Sequence, residues 1–413
     1  MTLPDAERTG LERDRMTIAF YGGFAVWGWL LYSFNPSVPL LADELGISDA
    51  QAGLHGTAMA AGGILAAFAT PRLVRGRGRR PTILLACALV AVGATGLVTA
   101  PALGWSLLAM VVLAVGGNVM VSAAQAGLAL RHGRKASAAV TEGNGVGSSI
   151  GLVGPLAVGV CVAVGWGWRP AVLVTAVLAI ATAVAVSRIP VGGAMTPARA
   201  AGERASAAPR VRTGSRLPAW CFFVTLVAGI SLEFATTYWS TGLVLEQTGA
   251  GAGLAAAATA GLVAGMSAVR FVVGPLSLRV APALLLAAAF VVAIGGWAIL
   301  WTATAPAAAM VGLVVAGFGY GAQYPLSVAL LLATAPGRAD ATQGRVTFVG
   351  SLAVGVAPFA LGALADEFGT HRAFLVVPLV ALVGAVAAVA GGRALRRPDL
   401  LAARLDLGVA ADR

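Results

Sequence analysis

The chain has little charge and almost no lysine. Charged residues make up 11% of its 413 residues, against about 25% in a soluble globular domain. A water-facing surface of ordinary polarity is thereby excluded. Lys135 is the only lysine among 28 basic residues, a bias that fits a GC-rich bacterial genome. Cys87, Cys161 and Cys221 fall in separate apolar runs at unrelated spacing, which suggests neither a disulfide framework nor a metal site. The three histidines, His55, His132 and His371, lie in unrelated places, and no Ser-His-Asp, metal or phosphate-loop signature is present. These absences argue against an enzyme and imply no cofactor. Period-two alternation is missing as well, and open sheets cannot satisfy their backbone in lipid, so a β-barrel gives way to helices.

What the chain has in abundance is apolar sequence, 58% of all residues. Runs of about 20 residues, each long enough to cross a bilayer as a helix, alternate with short polar breaks. Twelve are read: 17–38, 51–71, 82–100, 103–130, 141–165, 170–187, 218–243, 252–276, 282–303, 306–334, 345–364 and 371–391. The expectation is an all-α membrane protein with twelve transmembrane helices. No secretory signal peptide is read: the first sixteen residues carry charge of both signs, and the first run is long enough to stay in the membrane. The net charge of +11 suggests nucleic acid at first sight. Its distribution argues otherwise. With the N-terminus inside, 25 of the 28 basic residues fall in cytoplasmic segments; Arg169 and Arg372 lie outside and Arg270 within a span. Basic charge so placed sets topology. A plasma-membrane protein with both termini cytoplasmic is expected, in contact with lipid and not with nucleic acid.

Two stretches match at an offset of 203 residues: Gly147, Ser148, Pro155, Gly159 and Arg169 recur as Gly350, Ser351, Pro358, Gly362 and Arg372. A half-length repeat in a chain this apolar points to a transporter of two like bundles, and an even number of spans per half makes the repeat parallel. The expected division is a six-helix bundle over 1–187, a cytoplasmic linker over 188–216, a second bundle over 217–392 and a tail over 393–413. The linker's Ala, Gly, Pro and Arg suit a flexible connector. The tail reads equally as an amphipathic helix on the inner leaflet or as disordered chain.

Polar side chains inside spans are costly and face a cavity or another helix. Asn35 falls in span one, His55 in two, Asn118 and Gln125 in four, Glu142 and Asn144 in five, Glu233 in seven, Arg270 in eight, and Gln323 in ten. Spans three, six, nine and twelve have no charged residue, His, Asn or Gln in their interiors, and read as lipid-facing. Helical spacing puts Asn118, Ser122 and Gln125 on one face. Tyr21, Gly28, Tyr32 and Asn35 share another, as do Glu233, Thr237 and Ser240, and Tyr320, Gln323 and Ser327. Each set could simply bond helix to helix; four such faces together read as one shared cavity.

At this point the sequence resembles the major facilitator superfamily along nearly its whole length. Gly151-x-x-Gly154-Pro155-x-x-x-Gly159 resembles the glycine-proline motif of the family's fifth helix, and Gly165-Trp166-Gly167-Trp168-Arg169 its Gly-Trp-Arg start of the sixth. Gly362-Ala363-Leu364-Ala365-Asp366, with Gly369 and Arg372, resembles the counterpart in the second half. The loop motif between helices two and three keeps Gly78, Arg79 and Arg80, while Pro71 and Arg75 stand where the family has Gly and Asp. The resemblance implies two six-helix bundles. Helices one, four, seven and ten would line a cavity; two, five, eight and eleven would join the halves; three, six, nine and twelve would lie outside. It implies a secondary transporter working by alternating access as a monomer, and the missing Asp implies a weak or different cytoplasmic latch.

On that frame the cavity is expected to hold Tyr21, Trp27, Tyr32, Asn35, Asn118, Ser122, Gln125, Glu233, Thr237, Tyr238, Trp239, Tyr320, Gln323 and Tyr324. Glu233 is the charged residue deep in these helices, placed to carry a proton, to bind a cationic group, or to serve as a structural partner. Glu142 and Arg270, near the cytoplasmic ends of adjacent spans, form a gate pair or else snorkel separately to the headgroups. His55 is read as a hydrated interfacial residue, and Asp43, Glu44 and Asp49 as a solvated outer cluster. Aromatic walls, with no Arg or Lys in the cavity helices, favour a lipophilic or cationic substrate. The expected activity is proton-coupled efflux. Uptake of a polar nutrient is the alternative on the same fold; a polytopic enzyme or a non-transporting sensor are alternatives of other classes.

Overall fold

The computed structural model describes residues 13–132, 136–190, 195, 216–277, 279–334 and 339–411. Among these residues all regular structure is helical. The first-half elements are α1 (Arg15–Phe34), a 3-10 turn (Asn35–Ser37), α2 (Val38–Leu45), α3 (Asp49–Arg77), α4 (Arg79–Val98), α5 (Leu103–His132), α6 (Ala136–Gly151), α7 (Val153–Ala163) and α8 (Arg169–Ser187). Then follow α9 (Leu217–Thr248), α10 (Ala252–Ser277), α11 (Pro282–Trp301), α12 (Pro306–Ala333), α13 (Ala339–Phe368), α14 (Thr370–Ala373) and α15 (Val376–Ala411). Most of the linker expected over 188–216 lies outside the described residues.

Eleven stretches are long and apolar enough to cross a membrane among the described residues. The chain is therefore a multi-pass membrane protein. The run expected as span one is not among the eleven; in α1, Tyr21, Trp27, Trp29 and Tyr32 dilute its 20 residues. That run also extends beyond residue 38, through the turn at Pro36 into α2, which closes at Gly46 in the left-handed region (φ 61°). Span five is interrupted between α6 and α7 at Leu152. Pro155 explains the break: it brings no N–H and its ring crowds the carbonyl of Gly151, four residues back. Past Arg393, α15 continues unbroken to Ala411.

Because the helices alternate in direction, charge sorts to two ends. One gathers Arg15, Arg77, Arg131, Arg188, Arg216 and Arg279, and is called here the basic end; the other gathers Asp43, Glu44, Asp49, Glu246 and Asp366, the acidic end. At the basic end Gly78 (φ 88°) alone links α3 to α4, a backbone setting that a side chain would strain. Arg79 beside it is buried, and Arg80 donates to the Ser187 carbonyl at the end of α8. At the acidic end Trp168 Nε1 donates to Glu44 (2.8 Å), which also pairs with Arg169 (3.1 Å). Glu44 thus fastens α2 to α8 rather than standing free in solvent.

Helix packing places α4 against α5 and α8, and α11 against α12 and α15. Elements before residue 188 meet those after 216 chiefly through α3 on α13 and α7 on α10. Small residues make this possible. A Cβ on Gly53 would meet the Pro358 carbonyl oxygen at 2.7 Å, and one on Gly159 would meet that of Gly253 at 2.6 Å. Gly151 and Gly154 admit Tyr32 and Ser33 of α1 in the same way. Further bonds cross here: Thr57 Oγ1 donates to the Gly355 carbonyl (2.6 Å), and Asn35 Nδ2 to Thr237 Oγ1 (3.2 Å). Toward the basic end the faces part, leaving Ser122, Asn144 and Tyr324 exposed. The molecule is closed at its acidic end and open toward its basic end.

One contact at the closed end is electrostatic. Asp366, at the end of α13, accepts from the backbone amides of Asp49 (2.7 Å) and Ala50 (2.8 Å) in the first turn of α3. The first amides of a helix lack partners and carry its positive dipole end, so a carboxylate there is favourable by about 0.3–1 kcal/mol. Asp366→Asn should therefore loosen closure. We expect a cysteine at buried Ser37, in an otherwise cysteine-free chain, to label roughly two- to fivefold faster from the acidic end. Unchanged labelling would mean that the packing of α3 on α13 suffices.

Candidate functional site

α9 is an unbroken helix of 32 residues that carries Glu233 at its middle. The Thr237 hydroxyl donates to the Glu233 carbonyl (2.9 Å), and the Thr236 hydroxyl meets Tyr320 Oη of α12 at 3.0 Å. The second contact ties α9 to α12, while the first stays within α9. The carboxylate of Glu233, part-buried, then lies within electrostatic reach of Tyr32 from α1, Tyr320 from α12 and Arg270 from α10.

Arg270 is the residue that the sequence reading placed elsewhere. It was expected at the rim, with Glu142. Its guanidinium instead reaches across the two halves, donating to Ser148 Oγ on α6 (2.7 Å). The inference that the cavity holds no cation rested on the lining helices alone, and Arg270 enters from a neighbouring helix. Glu142 is not brought to it. Arg13, ahead of α1, takes Glu142 through Nε (2.5 Å) and Nη2 (3.1 Å). Next to Arg13, Asp14 caps α1 through the Thr17 amide (2.9 Å) and pairs with Arg131 (2.7 Å). Burial would push the Asp14 carboxyl up, but the Thr17 bonds and Arg131 outweigh it and hold the group below its usual range. This pairing of Arg13 with Glu142 has no signal in helical periodicity, because Arg13 precedes the first span.

The expected lining residues separate into three sets. Asn118, Ser122, Gln125, Trp27 and Tyr324 have exposed surface on the open side; Asn118 also bonds its own helix at the Ala114 carbonyl (2.9 Å), and the Trp27 ring lies over Gly117. Glu233 is part-buried, and Tyr32 and Tyr320 are buried within its electrostatic reach. The rest are packed away. Tyr238 and Trp239 are fully buried: Tyr238 meets Phe34 edge-on at 6.4 Å, and Trp239 Nε1 donates to the Pro358 carbonyl (2.8 Å). Asn35 and Thr237 are buried in their mutual bond, Gln323 against Gly229, and Tyr21 beside Arg13 and Glu142. The aromatic wall is thus smaller than its count of rings suggested. His55 is also buried, against Phe34 at 5.6 Å, with its ring nitrogens on the Ala52 carbonyl (2.8 Å) and Ser106 Oγ (2.9 Å). It ties α3 to α5 and is not a hydrated interfacial residue. No group of His, Cys, Asp and Glu suited to a metal ion occurs among the described residues.

Comparison with known proteins agrees with this geometry. No curated protein sequence matches the chain. Among solved structures, an inward-facing, unoccupied bacterial homologue of the human lysosomal transporter Spinster superposes with a TM-score of 0.72 at 15% identity, covering 94% of this chain and 99% of that one. A D-xylose–proton symporter gives 0.73 at 13% identity, covering 91% and 96%, and the nucleoside transporter NupG 0.71 at 12%, covering 91% and 98%. At such identities the likeness is one of fold. The family profile described as Major Facilitator Superfamily matches residues 18–305 and 221–404. By sequence as well as fold, the chain belongs to the Major Facilitator Superfamily and is a transporter, not an enzyme.

Proposed function

We propose that the protein is a proton-coupled secondary transporter that moves a small organic molecule by alternating access, with Glu233 as the proton carrier. The observation that carries the reading is a part-buried carboxylate, Glu233, at the middle of α9, with Arg270 of the adjacent α10 held on Ser148 of the other half (2.7 Å). Ionised Glu233 attracts Arg270; once protonated it does not, and Arg270 is left to Ser148 across the halves. A proton thereby changes which half the guanidinium holds. Efflux of a lipophilic or cationic compound is the first reading: exposed Tyr324 and part-buried Trp27 offer aromatic faces on the open side. Uptake of a polar solute is the second. Arg270 and the exposed amide and hydroxyl groups of α5 favour it, and two of the similar structures are a sugar–proton symporter and a nucleoside transporter.

The proposed architecture has twelve spans in two parallel six-helix bundles, 1–187 and 217–392, with α1, the turn and α2 as the first span. Arginine enrichment supports a cytoplasmic basic end and cytoplasmic termini in the plasma membrane. The open side then faces inward, and the protein works as a monomer.

Proteoliposomes with an imposed pH gradient test the central claim. Glu233→Gln should abolish accumulation against a gradient, by tenfold or more, while counterflow exchange persists. Accumulation with unchanged pH dependence would make Glu233 structural. The proposed gate is tested separately. When the basic end closes, we expect Glu142 to leave Arg13 for Arg270. Either neutralisation should slow transport, and Glu142→Arg combined with Arg270→Glu should recover part of it. A swap no better than the single variants would leave Glu142 as a tether for Arg13.

A further inference from the structure

A second concavity lies away from Glu233. It is a groove of about 1140 Å³ between α9, α13 and α15, with the end of α12 at its floor. Trp220, Val224, Val227 and Ser231 line it at helical spacing, a stripe that faces roughly opposite to Glu233 on α9. Along α15 it runs from Leu379 to Leu395, about 24 Å of helix, which is more than one leaflet of a hydrocarbon core about 30 Å thick. Its walls are apolar and outward: Trp220 is 68% exposed, Leu379 63% and Val383 57%. In a bilayer such surface meets acyl chains.

The charge of the groove narrows the occupant. Arg216 and Arg345 are the charged residues among its described lining; both are exposed at the basic end, and no acidic side chain accompanies them. We propose that this groove is a binding site for an anionic phospholipid of the surrounding membrane, its phosphate held by Arg216 and Arg345 and its chains laid along Trp220, Val227 and Val383. A basic pocket at the end of spanning helices attracts anionic headgroups in this way, and guanidinium groups bond phosphate oxygens with charge-assisted geometry. The chain's own segment 196–215 is a poorer occupant, since it adds Arg199, Arg204, Arg210 and Arg212 to two arginines already present. A second copy would likewise bring one basic end to another. A lipid seated here touches both α9, which carries Glu233, and α13, which carries Asp366.

Trp220 supplies the readout. The full-length protein is reconstituted in phosphatidylethanolamine vesicles containing increasing fractions of phosphatidylglycerol with brominated chains, which quench tryptophan on contact. The contribution of Trp220 is the difference between the parent chain and Trp220→Phe. We expect phosphatidylglycerol to quench it at roughly tenfold lower mole fraction than brominated phosphatidylethanolamine does. Arg216→Gln with Arg345→Gln should remove that preference while leaving the melting temperature and helix content unchanged, because both side chains are exposed. Val227→Phe, which fills the groove without adding a fluorophore that the readout counts, should reduce quenching of Trp220 by either lipid. Equal quenching by the two lipids would overturn the proposal in favour of unselective annular lipid. So would a preference that survives the double arginine change. Quenching by neither lipid would overturn it in favour of a groove covered by the protein's own linker or by a second copy.

Discussion

A charge in the middle of a bilayer is expensive, by about 2.5–3.5 kcal/mol on insertion scales, and the rest of the architecture follows from how this chain obeys that limit. Nearly all charged side chains sit at helix ends. Among the described residues two exceptions are informative: Glu233, part-buried at the middle of α9, and Arg270 on α10, within electrostatic reach of each other. Neither is tolerable alone in lipid. The attraction between them lowers the cost of each, and the Ser148 hydroxyl gives Arg270 a further partner.

The same sorting explains why the two ends behave differently. At the acidic end, backbone approaches backbone at Gly53 and Gly159, and the carboxylate of Asp366 is satisfied by amides of α3 instead of by a cation. Closure there needs no basic side chain. At the basic end the arginines outnumber their acidic partners. Arg13 and Arg131 are matched by Glu142 and Asp14 on the first half alone, and the loop between α3 and α4 has Arg75 where the resemblance calls for an aspartate. Surfaces of like charge separate readily, so the end that the positive-inside pattern marks is also the one found open.

Much of this was legible in the sequence. Length and hydropathy give the helices, and the glycines repeated at half-length mark where helices press close; the break at Leu152 is not legible there, since span five reads as one run over 141–165. Periodicity places Glu233 on an inward face because the face is a property of one helix. It does not tell which inward residues meet open space and which meet another helix. Tyr238 and Trp239 share α9 with Glu233, yet they are sealed under Phe34 and Pro358 at the closed end. Depth along the helix decides this, and depth depends on which end is closed. Partners far apart in sequence are equally silent. Arg13 precedes the first span and still takes Glu142; His55, polar and near a helix end, is enclosed because Ser106 and the Ala52 carbonyl satisfy both its nitrogens.

Arg270 shows the limit most clearly. Its position on α10 is an interface position, and counting charges helix by helix leaves the cavity without a cation. An arginine, however, projects several ångströms from its backbone, and its planar donors bond wherever acceptors lie. Here the acceptor, Ser148 Oγ, belongs to the other half of the molecule, while the carboxylate that competes for Arg270 belongs to its own half. A group shared in this way cannot satisfy both sides equally, so its preference depends on the charge of Glu233. In the proposed cycle the proton acts on the halves through that preference. A bound solute carrying either an anionic or a cationic group would act on the same pair, which lets one small constellation couple solute, proton and conformation.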